Sequence, residues 1–245
     1  MTALAGQRWW LVGASEGLGA ALARELSAKG VSLVLSARDA GRLQTVADDL
    51  PGPAEVLPLD VTDPQAVLEA GARLGQVDGM VWLAAAYWPM RAQDWDGARA
   101  VTMAEVNFTG LLRCLDLVLP QMLARDRGHV VITGSLAAYR GLPGAIGYGA
   151  SKAACASLAE TLACDLRGTG IRVQLAQPGY IRTRLTALND FAMPQIMTPE
   201  AAAAQVLRLI EGRRFARAFP VPFAWLFRLA QFLPEGVYFR LFGGK

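Results

Sequence analysis

The sequence predicts a doubly wound parallel α/β sheet with helices on both faces, folded as one domain. Three observations lead there. Strand-like and helix-like stretches alternate along the chain with short breaks, the pattern of βα units that assemble a parallel sheet. Several of the strand-like runs are apolar on both faces, as strands covered by helices on each side must be. A glycine-rich turn, Gly13-Ala14-Ser15-Glu16-Gly17-Leu18-Gly19, joins the first strand to the first helix.

In chain order, a strand at 8–12 leads into a helix at 17–29 that stops at Gly30. A second strand at 31–37 precedes a helix at 41–50, closed by Pro51-Gly52. The third pair is a strand at 55–59 and a helix at 64–74. A fourth strand at 78–84 gives way to a tryptophan-rich connection, and a long helix follows over 102–124 despite Pro120. The remaining units are a strand at 129–135, a helix from Tyr148 and a strand at 172–176. No repeat, low-complexity tract or linker interrupts the pattern, so one domain over 1–245 is expected.

Composition excludes several classes. Of 245 residues, 53% are hydrophobic and 18% charged, enough for a large core. A net charge of +3 is too small to argue for nucleic acid. Three cysteines without metal-type spacing, Cys114, Cys155 and Cys164, read as small buried hydrophobes in helices. The single histidine, His129, stands at a strand entry and reads as structural. No metal site is expected. The apolar run 9–12 is too short for a signal peptide, and no run approaches the roughly 18 residues of a membrane span. A cytoplasmic protein is the expectation.

The chemistry concentrates in Tyr148-Gly149-Ala150-Ser151-Lys152. A phenol and an ammonium at i and i+4 share a helix face. Positive charge on Lys152 is expected to favour phenolate and to lower a pKa that is about 10 unperturbed. A phenol so tuned can exchange a proton near neutral pH. The glycine turn suits a pyrophosphate, because it lets backbone N–H groups approach at the positive end of a helix. The second strand ends in Ser36-Ala37-Arg38, with no acid to bond a ribose 2′-hydroxyl. A guanidinium at Arg38 can instead pair with a 2′-phosphate; the alternative is a solvated residue after a strand.

This set resembles the classical short-chain dehydrogenase/reductase family over roughly residues 7–183. The glycine fingerprint, Asn107, Ser135, Tyr148 with Lys152, and Pro178-Gly179 occur in the family's order. The resemblance implies a Rossmann-type fold and an NADP(H)-dependent oxidoreductase, with NAD(H) also possible, interconverting a carbonyl and an alcohol. It implies a catalytic tetrad of Asn107, Ser135, Tyr148 and Lys152, with Asn107 supporting a water chain to Lys152. Cofactor contacts follow at Gly13, Ser15, Glu16, Gly17, Leu18, Gly19, Arg38, Asp60, Val61, Ala84, Ala85, Tyr148, Lys152, Pro178, Gly179, Ile181 and Thr183. A homodimer or homotetramer is expected. Two departures stand out: Val12 replaces the usual threonine before the first glycine, and Trp82-Leu83-Ala84-Ala85 stands where the family has Asn-Asn-Ala-Gly. The second removes asparagine bonds that brace the central sheet. A catalytically weak nucleotide sensor of the same fold is the alternative function.

Residues 184–198 should form a lid over the substrate. Leu136, Leu142, Tyr180, Leu185, Leu188, Phe191 and Met193 suggest a small apolar carbonyl or alcohol as substrate. Arg140, Arg182 and Arg184 are the only candidates there for pairing an anion. The extension 213–245 holds nine of the twenty aromatics and six basic residues against one acid. It is expected to pack over the substrate cleft or a subunit contact; peripheral membrane contact is the alternative.

Overall fold

A computed structural model describes residues 4–243. Seven parallel strands run in the order β3-β2-β1-β4-β5-β6-β7. They are β1 (Arg8–Val12), β2 (Ser32–Ser36), β3 (Ala54–Val56), β4 (Gly79–Trp82), β5 (Gly128–Thr133), β6 (Ile171–Pro178) and β7 (Ala216–Phe219). The direction of sheet growth reverses between β1 and β4, which opens a crevice at their carboxyl ends.

Alternation along β1 builds two cores. Trp9 and Leu11 face one side and pack with α1 (Gly17–Ala28), α2 (Ala40–Asp48) and α7 (Pro199–Glu211). Trp10 and Val12 face the other and pack with α3 (Pro64–Leu74), α5 (Gly110–Ala124) and α6 (Ile146–Asp165). Side chains two apart in a strand share a face, so a run with no polar residue serves both layers.

The expected bounds of β1 and α3 hold. Other elements differ for identifiable reasons. The helix expected over 102–124 starts earlier, as α4 (Gly97–Ala104) capped by Asp96, and passes through a π-helical turn at Glu105–Thr109 before α5. Neither α7 nor β7 was anticipated. The signal for α7 was present in Thr198-Pro199-Glu200: Thr198 Oγ1 accepts from the Ala201 N–H at 3.2 Å, and proline opens the first turn. Cys114 and Cys155 are buried as expected, but Cys164 is exposed.

The extension is not one element. β7 carries the chain from Arg213 and Arg214 at one edge of the sheet to Phe219 at the other, where α8 (Val221–Ala230) and α9 (Glu235–Phe242) follow. Those two arginines therefore lie at the opposite end of the sheet from the helical aromatics.

Candidate active site

The glycine turn is closed by contacts that exclude any side chain. Gly13 has φ +98°, and a Cβ there would meet the Ala84 nitrogen at 2.5 Å. At Gly19 a Cβ would meet the Gly13 carbonyl oxygen at 2.0 Å. The chain bends this tightly only without side chains, which leaves the helix N-terminus bare for an anion. The residues present fit a dinucleotide's pyrophosphate.

Charge around the turn is arranged by Glu16. One carboxylate oxygen pairs with Arg42 at 3.1 Å, and the other accepts two bonds from Arg184, at 2.7 and 2.9 Å. Arg42 also reaches Asp39 at 3.2 Å. Arg38 is exposed and makes no ion pair among the described residues. The negative charge of Glu16 is thus covered by two guanidiniums, while Arg38 remains open to a ligand. Asp60 Oδ1 accepts from the backbone N–H and hydroxyl of Thr62 at 2.9 and 2.7 Å, shaping the turn after β3. Val61 is buried against Gly110, and Thr183 lies against Gly17. Ala84 and Ala85 follow the end of β4, Pro178 closes β6, and Gly179 and Ile181 come just after it along the same edge of the sheet.

Asn107 is fully buried within the π-helical turn. Its side chain accepts from the Ala86 N–H at 2.6 Å and donates to the Ala86 carbonyl and to Ser151 Oγ at 3.0 and 2.9 Å. It therefore braces the segment after β4. The Asn107 backbone carbonyl accepts from the Trp82 indole and from the Cys155 thiol, each at 3.1 Å. A carbonyl oxygen has two lone pairs, and both are taken. Trp82, the departure from the family pattern, replaces lost asparagine bonds with an indole N–H.

Lys152 is buried, and its ammonium donates to the Thr133 carbonyl at 2.9 Å. It lies 5.9 Å from the centroid of the Tyr148 ring. Burial pushes the Lys152 pKa down. The Tyr148 phenol is pushed up to about 12, because burial outweighs the hydrogen bond with Ser135 that pulls it down. The sequence led us to expect the opposite direction. Desolvation of the phenolate wins over an ammonium that is itself desolvated and turned towards a carbonyl. Ser135 Oγ also accepts from the Ala137 N–H at 3.1 Å, which fixes its position at the end of β5.

The substrate side holds residues that the sequence reading missed. The Tyr87 ring packs edge-on to Tyr148 with centroids 5.0 Å apart, and its hydroxyl donates to Asn189 Oδ1 at 2.7 Å. Tyr180 packs between Phe191 and Phe223, at 6.0 and 5.7 Å. The ends of the 184–198 segment are drawn together by pairing of Ile181 with Met197. Of the three candidate arginines, Arg184 is held by Glu16, and Arg182 is exposed with no ion pair among the described residues. Arg140 donates to the carbonyls of Ala230 and Leu233 at 3.1 and 2.7 Å and lies 3.9 Å over the Tyr238 ring. Nothing in the sequence pattern marked Tyr87, since the connection after β4 has no periodicity.

A family model described as short chain dehydrogenase matches residues 9–191. The chain belongs to the short-chain dehydrogenase/reductase family. It is an NAD(P)-dependent oxidoreductase with the Rossmann fold of that family. An uncharacterized oxidoreductase of Myxococcus xanthus (strain DK1622) is 36% identical over 93% of each chain. A sulfoacetaldehyde reductase of Chromohalobacter salexigens is 35% identical over 74% of each. The solved structure of a short chain dehydrogenase from Burkholderia cenocepacia J2315, in complex with NADP, superposes over the whole of both chains with TM-score 0.88 at 22% identity. At that identity the likeness speaks for the fold, including the helical extension.

Proposed function

We propose that this short-chain dehydrogenase uses NADPH to reduce the carbonyl of an apolar small molecule to an alcohol, with Tyr148 as proton donor. The observation that carries this reading is the convergence of Ser135, Tyr148 and the buried Lys152 at the end of β5, on the edge that also holds the glycine turn. When bound, the nicotinamide would supply the hydride. The protein's part is the remainder. Ser135 and the phenol donate hydrogen bonds to the carbonyl oxygen and stabilise the negative charge that develops on it. Tyr148 then gives its proton to that oxygen. A phenol held near 12 is neutral at physiological pH, which suits it to protonate an alkoxide. Asn107 holds Ala86, and with it the segment after β4 that would line the nicotinamide site, in place.

Gly13 to Gly19 would receive the pyrophosphate, Asp60 and Val61 the adenine, and Pro178, Gly179, Ile181 and Thr183 the carboxamide end. Arg38 would meet the 2′-phosphate, which supports NADPH over NADH. The aromatic wall of Tyr87, Tyr180, Phe191 and Phe223 supports an apolar substrate under a lid formed by 184–198, with Arg140 and Arg184 engaged elsewhere and Arg182 exposed. Exposed apolar residues on α4 and α5, Val101, Leu112 and Leu123, suit assembly into a homodimer or homotetramer. The test is a screen of purified protein with NADPH and NADH against apolar ketones, aldehydes and 3-oxoacyl compounds. Faster oxidation of NADPH with an apolar carbonyl is expected. Turnover confined to anionic carbonyls would overturn the substrate class.

A further inference from the structure

α8 is apolar on both of its faces. Phe223, Ala224, Phe227 and Ala230 turn inward, where Phe223 packs on Tyr180 and against Phe227. Val221, Trp225 and Leu229, with Phe232 just beyond the helix, repeat at helical spacing along the opposite side. They stand in solvent, with Trp225 51%, Leu229 60% and Phe232 78% exposed. A helix that is apolar all round needs cover on its second face.

α9 continues this surface. Tyr238 anchors it, donating from its hydroxyl to the Gly141 carbonyl at 2.6 Å. Val237 and Leu241 are exposed on one flank, and Phe239 is exposed on the other. At about 100° per residue, these flanks face in opposed directions, with Arg240 outermost between them. One flat protein face cannot cover both flanks of a short helix. A lipid interface can, because it has no fixed shape.

The charges agree. Among residues 221–243 the cations are Arg228 and Arg240, and the only acid is Glu235. Neither arginine makes an ion pair among the described residues. Arg228 lies 5.1 Å from the Trp225 ring, an aromatic-cation pair suited to the headgroup layer. No helix among the described residues is long and apolar enough to cross a membrane, so attachment would be at the surface.

We propose that the outer face of α8 and the flanks of α9 dock this protein on an anionic lipid bilayer. The two readings of the aromatic extension are then two faces of one helix: the inner face walls the cleft and the outer face meets lipid. Docking stands apart from the reaction. Delivery of an apolar carbonyl from the bilayer to the cleft beneath α8 rests on the reductase reading.

The test is co-sedimentation of the full chain with phosphatidylcholine vesicles, with and without phosphatidylglycerol, at low and high salt. Two variants accompany it: Trp225→Ser/Leu229→Ser/Phe232→Ser, and Arg228→Glu/Arg240→Glu. All five positions are exposed, and thermal melting checks that each variant is folded. The wild type should bind the anionic vesicles, more weakly in high salt. The serine variant should lose binding at least tenfold, and charge reversal should abolish the preference for phosphatidylglycerol. If the serine variant does not fold, charge reversal alone decides. Wild type that stays in the supernatant with anionic vesicles at low salt overturns the proposal. So does vesicle binding unchanged in a folded variant, or an oligomer that the serine substitutions split while vesicles bind neither protein.

Discussion

β5 and β6 carry a buried polar cluster at each end, and the two clusters behave differently. At the N-terminal edge, His129 Nε2 bonds Gln174 Oε1 at 2.7 Å, and Arg172 donates to His129 Nδ1 at 3.1 Å. Gln174 donates to the carbonyls of Leu209 and Arg214 at 2.8 and 2.7 Å, and Arg172 to those of Gly212 and Ile210 at 2.9 and 2.7 Å. Burial pushes His129 down to about 3, so it is neutral. This cluster ties the ends of α7 and β6 together and has little bonding capacity left. At the C-terminal edge, Lys152 makes one protein hydrogen bond of the three its ammonium can donate, and Thr133 Oγ1 is buried with no partner among the described residues. The Ser135 and Tyr148 hydroxyls share that edge. The same two strands carry both clusters; what marks the candidate site is hydrogen-bonding capacity left unused.

The sharpest way to separate the clusters is Tyr148→Phe. Cofactor binding should persist while turnover falls on the order of 10²–10⁴-fold; near-normal turnover would remove Tyr148 from the chemistry.

Acid should break the other cluster first. A histidine with a folded pKa near 3 and an ordinary unfolded one stabilises the fold above about pH 6.5. That contribution is lost as pH falls towards 3. Stability should drop on the order of 2–3 kcal/mol by about pH 4.5 from this group. Denaturant melts of wild type and His129→Gln across this range check it, since the variant should lack that component.

A smaller effect is expected at the cofactor end. Arg38→Asp should weaken NADPH binding by about 1.5–3 kcal/mol and leave NADH nearly unchanged. Equal loss for both cofactors in a titration would mean that Arg38 does not meet the 2′-phosphate. The smallest is Trp82→Phe, which removes one of two donors to the Asn107 carbonyl. Stability should fall by about 0.5–1.5 kcal/mol with little change in turnover. A tenfold slower variant with unchanged melting would instead assign the indole to proton supply.

Much of this was readable beforehand. The strand–turn–helix around Gly13 is local, and local rules of periodicity and glycine geometry read it. Tyr148 and Lys152 share one helix, so their spacing was enough to pair them. The direction of the Tyr148 shift was not readable, because desolvation depends on Tyr87 and the end of β5, which meet Tyr148 only in the fold. The role of Trp82 was hidden for a related reason: its partner carbonyl is 25 residues away in sequence, on a turn whose π-helical form no pattern signalled. α7 was legible in its cap and proline, and was passed over because the segment before it drew attention as a lid.

Glu16 joins the glycine turn to α2 through one carboxylate oxygen and to the start of the 184–198 segment through the other, at a surface where dissolved ions compete. In the proposed reaction, by contrast, Tyr148 gives up its proton at a buried position that salt does not reach. Added electrolyte should therefore act on the rates at which ligands enter and leave and spare the bond-making step, so that the two become kinetically separable by ionic strength alone.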